Sequence, residues 1–360
     1  MSKSLQVRSW LIGSIVGASL LGACGAPENE RALQEEQATV GQELSGETAA
    51  SRMSVTLSTE RQTFSATNQA LVTVTVRNDS QSKVKLLKWA VPDSELEEAL
   101  FDVKLGGQSV QYLGAHFKRG PAKAEDYVQL KPGESLTRTV DLSTYYDLSK
   151  SGSYRITVDA KGLKSNTVEV FVEGRKSGPV EDAGPITTLG TLAFSKCDAT
   201  QQATLQQAVS AGNTMAANSL NYLSTTAPSG TARYSTWFGA FSSGNWTTAK
   251  NHFTSIKDVF DTKTLTIDCG CKKTYYAYVY PNQPYKVYVC KAFWAAPMTG
   301  TDSKGGTLIH EISHFDAVAG TDDWAYGQTN AKSLASSDPS KALNNADNHE
   351  YFAENTPSLQ

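Results

Sequence analysis

The chain has 360 residues, 39% of them hydrophobic and 19% charged, and a formal net charge of −3. That length accommodates two domains of ordinary size, each able to bury its own core. The near-neutral balance, without a Lys/Arg run or an aromatic-basic stripe, argues against a nucleic-acid partner, and the abundance of Ser, Thr and Tyr suits a secreted or surface protein.

At the start, Lys3 and Arg8 precede an apolar run from Trp10 to Leu21, the pattern of an export signal and too short to span a bilayer stably. The run ends in Leu21-Gly22-Ala23-Cys24, where bacterial lipoproteins are cut and lipidated. Residues 1–24 are thus expected to be a lipoprotein-type signal that leaves Cys24 with a membrane anchor; an ordinary secretory signal cut near Ala26 is the alternative. Either way the protein is expected to leave the bacterial cytosol, as an outer-membrane or surface lipoprotein precursor or as a secreted protein. Residues 25–52 are polar and Glu/Gln-rich and read as a flexible tether.

From residue 53 to 173 the texture changes to short alternating runs. "LVTVTV" (71–76) puts Val72, Val74 and Val76 on one face, "KVKLLKWAV" (83–91) follows a turn, and "SYRITVDA" and "NTVEVFVE" come later. Together with a Pro-Gly turn in "LKPGESLTRTVDL", this pattern predicts an all-β, Ig-like sandwich. The region holds one histidine, His116, and no partnered carboxylate cluster, so it is expected to offer no chemistry of its own. Residues 174–190, rich in Gly and Pro, read as the linker between domains.

Residues 191–360 turn helical. Leu205, Ala208, Val209, Gly212, Met215, Ala216, Leu220 and Leu223 recur at helix spacing, and a second helix is expected from Trp246 to Phe260 with Ala249, Phe253 and Ile256 inward. "YYAYVYPNQPYKVYVC" predicts a hairpin with a Pro-Asn turn. Apart from Cys24, the four cysteines Cys197, Cys269, Cys271 and Cys290 argue for two disulfides in an exported chain; Cys269 and Cys271 are poorly placed to bond each other, which leaves two pairings.

"GGTLIHEISHFDAVAGTDDWAYG" (305–327) carries the chemistry. His310 and His314, four apart on a helix, project from one face and can chelate one ion, and Glu311 can act on a water beside it. Ser303 or Thr301 can cap the helix and Gly320 can end it. A hydrolytic zinc site needs a third protein ligand, for which Asp322, Asp323, His349 and Glu350 are candidates. His349 otherwise reads as a helix-surface residue and His252 as a residue on the border of the second helix.

"HEISH" followed by "GTDDWAYG" resembles the deuterolysin-like zinc metalloendopeptidases, the aspzincins. With "RYSTWFG", "YAYVYPN", "AFWAAP" and "NADNHEYFAENTP", residues 194–360 are most similar to the peptidyl-Lys metalloendopeptidases within that family. The resemblance implies a mainly α, zincin-like α+β catalytic domain with a small β-element and one zinc per chain on His310, His314 and Asp323. It implies Glu311 as the catalytic base, Tyr326 as the oxyanion stabiliser, and disulfides Cys197–Cys269 and Cys271–Cys290. It further implies that Asp347 and Glu350 form a pocket for the lysine following the scissile bond, so that protein or peptide substrates are cut on its amino side. The β-region then reads as a pro-domain covering the cleft, and the bonds before Lys176 and Lys196 as sites of self-processing. The alternatives are a permanent spacer, a metalloprotease of general specificity, one using Glu350 as the third ligand, and a lipid-anchored surface-binding protein with an idle protease domain.

Overall fold

The computed structural model describes residues 53–360 except 161, 177, 179–185 and 190. The export signal, Cys24, the tether and the middle of the linker lie outside the described residues. Among the described residues no helix is long and apolar enough to cross a membrane.

In the N-terminal part, alternation does what it predicts. Val72, Val74 and Val76 of the strand Leu71–Asn78 point inward, while Thr73 and Thr75 point outward and hydrogen-bond Thr139 and Thr137 across the sheet. Leu71–Asn78 lies between Met53–Ser58 and Ser135–Asp141. A second sheet is built around Gly152–Ala160, flanked by Phe101–Leu105 and Val168–Val172. Val140, Ile156, Val158 and Val170 join the three valines in one core shared by both sheets. The strand expected over 83–91 is shorter: Val84–Leu87 pairs with Tyr127–Leu130, and a 3-10 turn at Lys88–Ala90 then buries Trp89.

The C-terminal part is mainly helical around a six-stranded sheet. Ile186–Leu189, within the stretch read as linker, pairs antiparallel with Leu192–Ser195; Leu265–Asp268 and Lys286–Val289 follow in parallel, and Ala277–Val279 pairs antiparallel with Lys286–Val289 as the predicted hairpin. The last strand comes from the other half of the chain. His116–Lys118 pairs antiparallel with Ala277–Val279, setting Lys118 opposite Ala277 and His116 opposite Val279. The β-region and the helical region therefore share one sheet within a single contact unit. The disulfides Cys197–Cys269 and Cys271–Cys290 tie the sheet to the start of the first helix and to the hairpin.

That first helix, Ala199–Thr225, starts in a capping box in which Asp198 accepts from Gln201 N and the Gln201 side chain accepts from Asp198 N. The helix Ser243–Thr262 buries Trp246, Ala249, Phe253, Ile256 and Phe260 as expected. The helix carrying the two histidines, Lys304–His314, is capped by Ser303, whose hydroxyl accepts from Gly306 N at 2.9 Å. It ends at Phe315 rather than Gly320. Phe315 turns its ring into the core and its carbonyl collects the amides of Val318, Ala319 and Gly320, so the chain leaves the helix a turn early.

Two glycines fix how close this helix comes to the first. A Cβ on Gly305 would stand 2.9 Å from Gly212 N, and one on Gly212 would meet Gly305 O at 3.0 Å and Phe260 at 2.8 Å. Gly212→Val should therefore force the helices apart and destabilise the protein by about 1–3 kcal/mol. The check is the denaturant midpoint, with Gln207→Gly at an exposed position of the same helix as a control for propensity alone.

Candidate functional site

His310 and His314 lie on the buried face of the Lys304–His314 helix, ring centroids 4.8 Å apart. His314 Nδ1 donates to the Thr321 carbonyl at 2.8 Å, and His310 Nδ1 lies within ion-pair distance of Asp347 Oδ1, 2.8 Å away, without hydrogen-bond alignment. The Nε2 atoms are thereby presented together. Asp323 Oδ1 lies 3.3 Å from His310 Nε2 and 3.5 Å from His314 Nε2. Ligands about 2.0–2.1 Å from a tetrahedral zinc stand about 3.3–3.4 Å apart, and both distances to Asp323 are of that size. Both Nε2 atoms and both Asp323 oxygens are buried without a hydrogen bond, as befits a donor set built for a cation.

The other candidates for the third position fall elsewhere. Glu350 Oε2 lies 3.4 Å from His310 Nδ1, the nitrogen that already faces Asp347. Asp322 pairs its backbone with Asn345 and sets its carboxylate 3.6 Å from His116 Nδ1. His349 is buried, not a surface residue, because its helix packs between others. Its Nδ1 donates to Asn345 O at 2.9 Å, so its Nε2 must accept from His252 Nδ1, also at 2.9 Å.

Burial holds both of these histidines down, His252 to about 4 and His349 to about 3, the latter with help from the His252 charge. The folded state thus favours the neutral forms. Their stabilisation is intact above about 6.5, the unfolded value, and is lost as pH falls from there toward 3. Thermal melts of zinc-depleted protein should show a falling midpoint from pH 7 to pH 4, and His252→Gln should flatten the fall. An unchanged slope would contradict the assignment.

Glu311 points both oxygens into the same buried space with no hydrogen bond, and burial pushes its carboxyl up to about 7 against the pull of His310 and His314. Tyr326 follows Asp323 on the same loop, and burial and the Asp323 charge hold its phenol well above the ordinary value.

The loop carrying Asp323 and Tyr326 is clamped from the helix Ala346–Glu354. Asn345 Oδ1 accepts from Trp324 N and Ala325 N at 2.8 and 3.0 Å, and Asp347 Oδ2 accepts from Gly327 N at 2.6 Å. Nothing in the sequence marked Asn345 for this. Asp347 therefore orients His310 and holds the loop as well as facing the pocket described next. Asp347→Asn should weaken zinc affinity by about 10–100-fold, read by competition with a chelator.

The acidic pocket holds a lysine of the same chain. Lys118 is fully buried, its Nζ 2.5 Å from Glu350 Oε2, 3.4 Å from Asp302 Oδ1 and 3.7 Å from Asp347 Oδ1, and it lies over the rings of Tyr276 and Tyr351. Burial opposes its charge, but Glu350, Asp347 and Asp302 outweigh burial and hold the ammonium well above the ordinary value. Next to it, Arg119 Nη1 donates to the Tyr326 hydroxyl at 2.8 Å, and Glu97 and Glu98 anchor the guanidinium. The expectation that the β-region brings no chemistry is thus corrected. Its segment "HFKRG" reaches the site by strand pairing, and the one available signal was the lone His116 beside two cations.

The model of the lysine-specific metallo-endopeptidase family matches residues 223–354. An extracellular protease of Aeromonas hydrophila is 47% identical over 313 residues, 81% of this chain and 90% of its own. A peptidyl-Lys metalloendopeptidase of Grifola frondosa is 36% identical over 320 residues, 81% of this chain and 89% of its own. Another, of Pleurotus ostreatus, is 51% identical over 168 residues, 46% of this chain but 98% of its own. The chain belongs to the aspzincin family of lysine-specific metallo-endopeptidases and is a zinc metalloendopeptidase.

Proposed function

We propose that this enzyme cuts peptide bonds on the amino side of lysine, using one zinc held by His310, His314 and Asp323. The observation that carries the reading is Lys118, seated among Glu350, Asp302 and Asp347 on a strand laid antiparallel along Ala277–Val279. An extended peptide adding to a sheet edge, with a side chain dropped into a pocket, is a common mode of peptide recognition.

Zinc bound there would polarise the scissile carbonyl and lower the pKa of a water. Glu311 takes the proton of that water and delivers it to the leaving amine. The Tyr326 hydroxyl donates to the carbonyl oxygen as negative charge develops on it. The edge strand Ala277–Val279 holds the substrate main chain, and the three carboxylates take the lysine ammonium by charge-assisted hydrogen bonds. A compact ammonium fits between the two tyrosine rings better than the broad fork of arginine, so lysine is preferred.

On this reading residues 53–173 are a pro-domain whose Lys118 stands in for substrate. The Pleurotus relative supports it, since a peptidyl-Lys enzyme there is nearly spanned by the part it shares with 46% of this chain. Both lysines are exposed, but cleavage before Lys176 is favoured, because Lys196 sits between a buried strand end at Ser195 and the Cys197–Cys269 disulfide. Export, with a lipid anchor at Cys24 until the N-terminal part is removed, is consistent with the similarity to an extracellular protease. The test is digestion of an unstructured protein by the processed enzyme. Peptides should begin with lysine, and cuts spread over apolar residues would sink the proposal.

A further inference from the structure

If the proposed specificity is right, the strand that fills the cleft poses a problem. Phe117–Lys118 is then the kind of bond the enzyme cuts, and it lies on the edge strand with its lysine in the pocket. Something must keep the precursor from cutting itself there. We infer that His116 closes the metal site of the precursor as a fourth protein ligand, leaving no position for the attacking water.

The argument rests on the lysine-directed reading and on where the strand puts His116. Side chains two apart on a strand share a face, so His116 points to the same side as Lys118. Its ring centroid is 4.9 Å from that of His314. One of its nitrogens, one of His314 and an oxygen of Asp323 all lie within 4.8 Å of one another. Its Nδ1 is 3.6 Å from Asp322 Oδ1, a carboxylate placed to orient the ring as outer carboxylates orient metal-bound histidines. Tyr112 packs edge-on against it, centroids 5.9 Å apart. Three protein ligands make an open, catalytic zinc site and four make a closed, structural one. His116 converts the first into the second, and removal of the pro-domain reverses the conversion. Arg119 acts in the same direction by engaging the Tyr326 hydroxyl at 2.8 Å. One short strand thus occupies the lysine pocket, the metal and the oxyanion residue together.

The deciding measurement is zinc-edge X-ray absorption on the full-length precursor carrying Glu311→Gln, which keeps matured copies from processing the sample. Three imidazoles around zinc are expected; two would overturn the proposal. His116→Ala in the same background should drop the count to two and speed zinc transfer to a chelator by about tenfold or more. If that variant does not fold, the count in the parent precursor still decides. Neither outcome touches the termini of peptides made by the processed enzyme, so a failure of the lysine-directed reading would show there and not here.

Discussion

Glu311→Gln protein should bind a full equivalent of zinc, hydrolyse no peptide measurably, and accumulate as an intact precursor. The argument is geometric. Asp323 Oδ1 faces both histidine Nε2 atoms at 3.3 and 3.5 Å, so the proposed ligand set does not call on Glu311. The Glu311 carboxylate lies buried beside that set with nothing to bond, and an amide of the same shape cannot take a proton. Loss of a general base costs about 10²–10⁴-fold in rate. By contrast, His310→Ala, His314→Ala and Asp323→Ala should lose zinc. Metal analysis and N-terminal sequencing distinguish the two classes; a Glu311→Gln protein that matures at the normal rate on its own would remove the base assignment.

Glu350→Gln should abolish the preference for lysine while keeping zinc. Glu350 supplies the carboxylate oxygen nearest to the buried ammonium, at 2.5 Å, and meets His310 only at Nδ1, 3.4 Å away, not at the Nε2 that faces Asp323. Removing one partner of a buried, hydrogen-bonded charge pair costs about 3–5 kcal/mol, which corresponds to roughly 10²–10⁴-fold in kcat/KM for lysine substrates. Asp302→Asn should act in the same direction but less, from 3.4 Å. The same Glu350 change should loosen the hold of the helical region on the strand His116–Lys118 in the full-length chain, because Lys118 loses its main partner. A variant that still releases peptides beginning with lysine at the normal rate would contradict the pocket.

How much of this was visible in the sequence depends on distance along the chain. The helix carrying His310 and His314 was legible because i, i+4 spacing and a serine cap are local rules, and the pairings Cys197–Cys269 and Cys271–Cys290 followed from the family resemblance. Asp347 and Glu350, three apart, were legible as one helix face, although Asp347 turned out to serve His310 as well. What stayed hidden is what only tertiary register can supply. Asp302 comes from the turn before the helix Lys304–His314, and Asn345 clamps a loop twenty residues upstream through main-chain groups. His349 looked like a surface residue because nothing local announces that its helix is packed on the side where that ring points. His116 and Lys118 reach the site because a short strand of one folded layer pairs with the free edge of another, and no periodicity within either segment specifies that pairing.

Amine-selective acylation of the full-length Glu311→Gln precursor, followed by peptide mass spectrometry, tests most directly that the chain's own Lys118 fills the lysine pocket. Lys118 should remain unmodified under conditions that label the exposed Lys83 and Lys131 completely, and should become reactive when Glu350→Gln is added. Labelling of Lys118 at the rate of the exposed lysines in the intact precursor would contradict the account.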